Sequence, residues 1–215
     1  IGYSLYLDLL QPLQRKDQIR IDSQLTEEKD RCAKAISLAE EGIKVALISS
    51  GDAGIYGMAG LVLELLEKVE EIFRPNAVVH PGISSMQLAA SLAGAPLMND
   101  FCVINLSDKL TAWETIEKRI IGAISGDFVV SVFNPQSQGR QWQLKKAIEM
   151  FLNSRKGNTP VLLARQVGRE KQSYKFYTLE TIPINEVDML SILIIGNSKT
   201  KLINDKTFIS PRGYL

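Results

Sequence analysis

Apolar and polar positions in the first half of the chain predict helices that alternate with short strands. Apolar residues recur at helical spacing over residues 27–41 and 61–69, and a helix of small residues is predicted over 84–92. The apolar, β-branched run at 43–50 (IKVALISS) is typical of a parallel strand covered on both faces, and a shorter strand is predicted at 77–79. This alternation predicts a parallel sheet with ligands at the carboxyl ends of its strands.

Residues 94–100 (GAPLMND) interrupt this rhythm with Gly, Pro, Asn and Asp. We therefore expect an N-terminal α/β domain over residues 1–98 and a C-terminal α/β domain over 99–215. In the second domain the pattern predicts helices at 113–124 and 141–152 and strands at 101–106, 127–133, 161–164, 175–178 and 191–195. The last three strands have no long helices between them, which favours antiparallel pairing and a mixed sheet.

Composition and charge narrow the classes of function. The 215 residues are 45% hydrophobic and 23% charged, with a net charge of +1. That balance excludes the strong basic field of a protein bound mainly to nucleic acid. Two cysteines and one histidine, His80, weaken any metal-site or Ser-His-Asp hypothesis. No apolar run approaches the roughly 18 residues that span a bilayer, so we expect a cytoplasmic enzyme or binding protein without a metal or a membrane partner.

A glycine-containing turn at 49–57 (SSGDAGIYG) follows the predicted strand at 43–50. Glycines there let the backbone approach a ligand, and the carboxylate of Asp52 can fix a ribose or an amino acid group. The alternative is a structural turn in which Asp52 caps the next helix, which composition alone favours. The turn is neither a GxGxxG fingerprint nor a P-loop, because no Lys-Ser/Thr pair follows it.

Two further turns follow predicted strands. Ser84 and Ser85 lie at a helix N-terminus, where free N–H groups can meet an adenine nitrogen or a carboxylate; simple N-capping is the alternative. His80, just before them, is expected to be a strand-end histidine with a satisfied hydrogen bond. Phe133 ends the strand FVVSVF and can pack on an aromatic or sulfonium group, while Asn134 after it offers both a donor and an acceptor. The alternative is a strand that simply terminates at an Asn-Pro turn.

A fourth turn places Gly168 between Arg165 and Arg169 after the strand VLLA. It predicts either a carboxylate clamp or a tight turn with solvated charges. All four turns follow the ends of predicted strands in consecutive α/β units, so we expect them to line an interdomain cleft.

Seven segments of the chain, in order and over essentially its whole length, closely resemble the tetrapyrrole methylases. They are SSGDAGIYGMA (49–59), PGISSMQLAASLAGAPL (81–97), DFCVINLSD (100–108), FNPQS (133–137), ARQVGRE (164–170), IIGNS (194–198) and SPRGY (210–214). Ala53 stands where most members of the family have Pro. Within the family the chain is most similar to the ring-contracting enzymes of cobalamin synthesis that methylate C-17.

The resemblance implies two α/β domains with S-adenosylmethionine in the cleft between them, usually in a homodimer. By motif, the cofactor would meet Gly51, Asp52, Ala53, Tyr56, Ser84, Ser85, Phe133, Asn134 and Gly168. Members of the family open with a strand and a GxGPG loop, whereas this chain begins with Ile1-Gly2-Tyr3, which is typical of the end of a later strand. We therefore expect that first segment to lie outside these residues, which leaves the substrate side of the cleft incomplete.

The implied reaction is methyl transfer to C-17 of precorrin-3B, or of cobalt-precorrin-3, with loss of the C-20 bridge from the ring. The products are precorrin-4, or cobalt-precorrin-4, and S-adenosylhomocysteine. The acid or base for contraction stays open among Asp52, Ser107, Asp108 and His80, so no catalytic residue is assigned. Because the macrocycle carries several carboxylates, Arg140, Arg165 and Arg169 are candidate substrate-binding residues.

Other functions stay open at this point. Another methylase of the same fold would act on a different corrin carbon or on ribosomal RNA, although the near-neutral charge argues against RNA. A noncatalytic nucleotide-binding α/β module would bind NAD or ATP without preference for S-adenosylmethionine. A scaffold protein would leave the four turns without a common ligand.

Overall fold

The computed structural model describes residues 1–214, and these form two compact units, Ile1–Ser84 and a second unit from Ser85 onward. The predicted boundary after residue 98 falls later in the chain than this division by contacts and stays a prediction. Among the described residues, no helix is long and apolar enough to cross a membrane.

The first unit combines helices, one short parallel strand pair and segments without regular secondary structure. Its elements are β1 (Gly2–Tyr3), α1 (Ser4–Leu10), β2 (Asp22–Ser23), α2 (Glu28–Glu40) and α3 (Ala59–Leu66), with 3-10 turns at Gln11–Leu13 and Glu71–Phe73. β1 and β2 pair in parallel, and α2 packs against α3. In α2 the residues Cys32, Ala35 and Ile36 are buried, which is the helical spacing that the sequence predicted.

The two strands predicted in the first unit, at 43–50 and 77–79, are wrong. Neither segment forms a strand; within the described residues only Ile48 makes an isolated parallel bridge, to Gly2. Ile43 is 50% exposed and Val78 68% exposed, so neither run is covered on both faces. The physical reason is that a strand needs a ladder partner, and within residues 1–214 only the chain start lies alongside 43–50.

The second unit is a mixed α/β structure. Its helices are α4 (Ser85–Ala93), α5 (Trp113–Ser125) and α6 (Trp142–Leu152), with a 3-10 turn at Ile184–Glu186. Its strands are β3 (Gly94–Ala95), β4 (Phe101–Asn105), β5 (Val129–Phe133), β6 (Pro160–Arg165), β7 (Ser173–Thr178), β8 (Ser191–Ile195), β9 (Lys201–Ile203) and β10 (Thr207–Ile209). The main sheet has the order β4-β5-β8-β6-β7, in which β4 and β5 are parallel and every other pair is antiparallel. This confirms the predicted mixed sheet.

Apolar side chains cover both faces of the main sheet. Val130 and Val132 belong to a core formed with α5 and α6, whereas Val129 belongs to a second core that includes α4 and Phe208. Strand β5 is therefore apolar at nearly every position rather than at alternate ones. This arrangement holds the carboxyl ends of the parallel strands β4 and β5, and the loops that follow them, in fixed positions.

Candidate functional site

Asp52 ties the first two of the predicted turns together within the first unit. Its Oδ1 accepts a hydrogen bond from the Gly54 N–H at 2.8 Å, and its Oδ2 accepts one from the Gly82 N–H at 3.0 Å. Helix α3 begins only at Ala59 and has no side-chain cap, so the interpretation of Asp52 as a cap for that helix is wrong. Hydrogen bonds from Gly82 and then Gly54 lower the pKa of the Asp52 carboxyl, which keeps it ionised.

Backbone contact between Gly51 and Gly82 completes this junction of two turns. A Cβ atom on Gly82 would lie 2.0 Å from the Gly51 carbonyl oxygen, so only glycine fits there. Gly51 and Tyr56 both adopt positive φ, at 67° and 52°, and Tyr56 is 53% exposed. The turn therefore presents an open backbone and one aromatic ring.

A groove of about 1030 Å³ runs alongside this junction in the first unit. It is lined by the segments 43–51 and 75–82 and by residues of α1, α2 and α3, with Gly51, Ala53 and Gly82 among them. Its volume is in the range of a small-molecule site, and the walls are mainly apolar.

The second and fourth turns reach helix α4. Ser84 is buried at 2% exposure, and Ser85 is the first residue of the helix. Gly168 adopts a φ of 74°, and a Cβ atom there would lie 2.9 Å from Cδ1 of Leu88. The fourth turn therefore lies against the first turns of the helix that Ser85 begins.

The third turn is tied to the loop after β4. Asn134, at a φ of 47°, donates from Nδ2 to Oδ1 of Asn105 at 3.1 Å, and the same oxygen accepts the Ser107 N–H at 2.8 Å. The Leu106 N–H donates to the Phe133 carbonyl at 3.0 Å. Two loops at the carboxyl ends of parallel strands are thus held as one polar network.

The three candidate arginines have different surroundings. Arg140 is 7% exposed and donates from Nη1 to the Leu106 carbonyl at 3.2 Å; burial lowers the pKa of its guanidinium. Arg165 forms an ion pair with Asp188 at 2.6 Å. Arg169 is half-buried within the fourth turn.

Two of the candidate proton-transfer residues, His80 and Asp108, have different surroundings. His80 is exposed, lies outside any strand and has no hydrogen-bond partner among residues 1–214, so the expectation of a strand-end histidine with a satisfied hydrogen bond is wrong. Asp108, half-buried, accepts from Nε2 of Gln143 to its Oδ2 at 2.8 Å.

Two buried glutamines were not among the predicted site residues. Gln143 is 2% exposed and donates to Asp108, and Gln136 is 9% exposed and lies two residues after Asn134. A signal for Gln143 was present: it shares the spacing of the apolar residues Ala147 and Phe151, so it lies on the buried face of α6. A polar side chain on an apolar helix face is a marker for a buried polar network.

The predicted site residues thus fall into two sets. Gly51, Asp52, Ala53, Tyr56 and Ser84 belong to the first unit; Ser85, Phe133, Asn134, Gly168 and the three arginines belong to the second. That a single ligand contacts both sets stays a prediction.

Comparison with known proteins gives matches over most of the chain. Residues 1–183 match the family described as tetrapyrrole (corrin/porphyrin) methylases. A probable cobalt-factor III C(17)-methyltransferase of Salmonella typhimurium is 45% identical over 214 residues, which cover 100% of this chain and 87% of that protein. A precorrin-3B C(17)-methyltransferase of a Sinorhizobium species is 37% identical over 203 residues, which cover 94% of this chain and 79% of that protein.

Solved structures confirm the predicted α/β fold class. The crystal structure of the methyltransferase CobJ is 33% identical with a TM-score of 0.92, and the match covers 98% of this chain and 87% of that chain. The uroporphyrin-III C-methyl transferase of Thermus thermophilus, solved in complex with S-adenyl homocysteine, is 18% identical with a TM-score of 0.59. That match covers 88% of this chain and 80% of that chain, and it shows the fold alone.

Proposed function

The chain belongs to the tetrapyrrole methylase family, and on that premise we propose that it methylates C-17 of precorrin-3B, or of cobalt-precorrin-3, with ring contraction in cobalamin synthesis. The products are precorrin-4, or cobalt-precorrin-4, and S-adenosylhomocysteine. The observation that carries the proposal is the 45% identity, over the full chain, to a relative named as a C(17)-methyltransferase.

S-adenosylmethionine is the proposed methyl donor, and the residues at hand fit it. The turn at 51–56 offers open backbone and the exposed ring of Tyr56, while Phe133 and the amide of Asn134 end strand β5. Peptide and amide groups suit a ribose and an adenine, and aromatic faces attract a sulfonium cation. When bound, the cofactor supplies an electrophilic methyl group.

We propose that the protein holds and orients the methyl donor and the macrocycle and supplies no nucleophile of its own. Asp52 fixes the conformation of the first turn through its bonds to Gly54 and Gly82. Ser84, Ser85 and Gly168 would complete the cofactor contacts. Because an electron-rich ring carbon is itself the nucleophile, alignment in a water-poor site supplies the acceleration, which reaches about 7–11 kcal/mol in favourable systems.

Arg140 is the best supported of the proposed substrate-binding arginines. Its charge is buried, yet no carboxylate among the described residues forms an ion pair with it. Since a buried charge is costly without a partner, a carboxylate of the macrocycle would stabilise it. Arg165 already pairs with Asp188 but keeps Nη1 for a second partner, and Arg169 lies in the adjacent turn.

Binding and assay together test the proposal. We expect Asp52→Ala and Ser84→Ala to raise the Kd for S-adenosylmethionine about tenfold or more in calorimetry, since the first releases the hydrogen bonds that hold the turn at 51–56 and the second removes a polar contact. Asp100→Ala and Ser91→Ala, both exposed, are the matched controls and should bind as the wild type does. Unchanged affinity in both test variants would reject the assignment of the site.

The substrate is tested by incubating the chain with precorrin-3B and with its cobalt-containing counterpart. The expected result is S-adenosylhomocysteine together with a methylated, contracted macrocycle from one of the two. Methylation at another carbon, or none, would overturn the proposal.

We also propose, from the resemblance, that the protein works as a homodimer in the cytoplasm. Sedimentation velocity at micromolar concentration should show a species of twice the chain mass of 23.9 kDa. A monomer at all concentrations would contradict the dimer.

A further inference from the structure

Charge balance in the proposed reaction requires a base. The ring carbon that accepts a methyl cation supplies the electron pair of the new C–C bond, so the macrocycle gains one positive charge. Loss of a proton from the macrocycle removes that charge. A positioned general base contributes typically about 10²–10⁴-fold to the rate of such a step.

Three of the four candidate groups are poorly suited to be that base. Both oxygens of Asp52 accept backbone N–H groups, from Gly54 and Gly82. His80 is exposed, and its side chain makes no hydrogen bond to any described residue that would fix its orientation. Ser107 offers a hydroxyl, which is not a base without a partner.

Asp108 has the geometry that the others lack. Gln143 holds its Oδ2 at 2.8 Å, and Oδ1 has no hydrogen-bond partner in residues 1–214. Asp108 lies three residues beyond the end of β4 (Asn105), in the loop that Arg140 holds through the Leu106 carbonyl. Ligands of α/β sheets bind at this end of parallel strands.

The cluster around Asp108 also contains buried polar atoms without partners. Among the described residues they are Nε of Arg140 and Oε1 of Gln143, whose side chains are 7% and 2% exposed. Native proteins rarely leave such atoms unpaired unless a ligand or ordered water meets them. The Asp108 carboxylate also attracts the buried guanidinium of Arg140, which partly offsets the lowering of the Arg140 pKa by burial.

We propose that Asp108 is the general base of the methyl-transfer reaction and that Gln143 is the residue that positions it; this inference rests on the proposed function. An O–H or N–H bond of the macrocycle breaks, its electron pair stays on the macrocycle, and the proton bonds to Oδ1 of Asp108. Asp108 is half-buried, so the proton then passes to solvent.

The test compares the wild type with Asp108→Asn, Asp108→Glu, Gln143→Met and the control Asp100→Asn, which is exposed just before the opposite end of the same strand. We measure kcat and KM for the macrocycle, the Kd for S-adenosylmethionine by calorimetry, and Tm. Asp108→Asn should lower kcat about 10²–10⁴-fold, with KM, cofactor Kd and Tm close to wild type. Asp108→Glu should restore part of the rate, and Gln143→Met should lower kcat more than it changes KM.

Several outcomes would overturn the inference. They are a wild-type kcat in Asp108→Asn, a loss confined to KM, no recovery in Asp108→Glu while Tm is unchanged, and an equal loss in Asp100→Asn. A wild-type chain that binds the cofactor but methylates neither macrocycle would overturn the proposed function, and with it this inference.

Discussion

At the scale of single residues, the carboxylate of Asp52 matters most to the first unit. It joins two turns that are far apart in sequence, since Asp52 and Gly82 are separated by 30 positions. Neither turn has a strand ladder beside it, so this bond and the Gly51–Gly82 contact set their geometry. The position of any residue there that contacts a ligand therefore depends on Asp52, whose two carboxylate oxygens already accept backbone hydrogen bonds.

The first prediction concerns the pH dependence of that bond. Because the pKa of Asp52 is lower in the folded than in the unfolded chain, its contribution to stability is present above the ordinary value of about 3.9. The contribution is lost as pH falls through the folded pKa. Urea denaturation from pH 7 to pH 3 should therefore show wild type more stable than Asp52→Asn at pH 7, with the difference shrinking below about pH 4. A difference that stays constant down to pH 3 would contradict this mechanism.

The second prediction concerns Gly82. In Gly82→Ala the new Cβ would lie 2.0 Å from the Gly51 carbonyl oxygen, so the two turns must separate. We expect a lower Tm and weaker binding of S-adenosylmethionine. Gly60→Ala is the matched control, since a Cβ atom there meets nothing within 4 Å inside helix α3. It should gain about 0.5–1 kcal/mol in the free energy of unfolding; equal effects of both substitutions would refute the steric argument.

Residue roles were only partly predictable from the sequence. The Gly-Asp turn identified Asp52, but a hydrogen bond to Gly82 cannot be seen in local sequence, and the local interpretation as a helix cap was wrong. Arg140 was selected for its charge, while its burial depends on how the loop before α6 folds back. Gln143 was missed because one polar residue in an apolar helix pattern was not given weight.

At the scale of elements, side-chain hydrogen bonds join two interior strands of the main sheet, β5 and β8, at one end of the sheet. Arg155, after α6, donates to the carbonyl oxygens of Gly196, Phe128 and Ala123, and its guanidinium stacks over Phe151. Asp127 accepts the Ser198 N–H at 3.0 Å. These bonds join the start of β5 to the end of β8, which gives the IIGNS motif at 194–198 a structural role.

The third prediction follows from Arg155. Arg155→Met keeps the apolar bulk but removes the side-chain donor of the partly buried Gly196 and Phe128 carbonyl groups. We expect a loss of about 2–4 kcal/mol in the free energy of unfolding, measured by urea denaturation. Arg119→Met, exposed on α5, should change it by less than about 0.5 kcal/mol. A loss of similar size in both variants would show that the carbonyl bonds contribute little.

Elements were predictable where their partners lie within the described chain. The strands of the main sheet and the helices α5 and α6 bury one another, so apolar periodicity located each of them. The run at 43–50 has the same composition, yet almost nothing pairs with it among residues 1–214. An apolar pattern predicts that a segment will be buried. Whether that segment forms a strand also depends on a second segment with which it can pair. The family's first strand and GxGPG loop stay a prediction.

At the scale of the whole molecule, the predicted site residues are divided between the two compact units. The net charge of +1 supplies no general attraction for an anionic macrocycle, so local groups such as Arg140 must do so. The family and the α/β class followed from the order of short motifs along the chain. That one ligand contacts both sets stays a prediction, because the predicted site residues are divided between the two units.

The most direct test is a crystal structure of this chain with S-adenosylhomocysteine. We expect one bound molecule that contacts residues of the turn at 51–56 and also Phe133 and Asn134. A molecule bound elsewhere, or one that touches only one of these two sets, would contradict it.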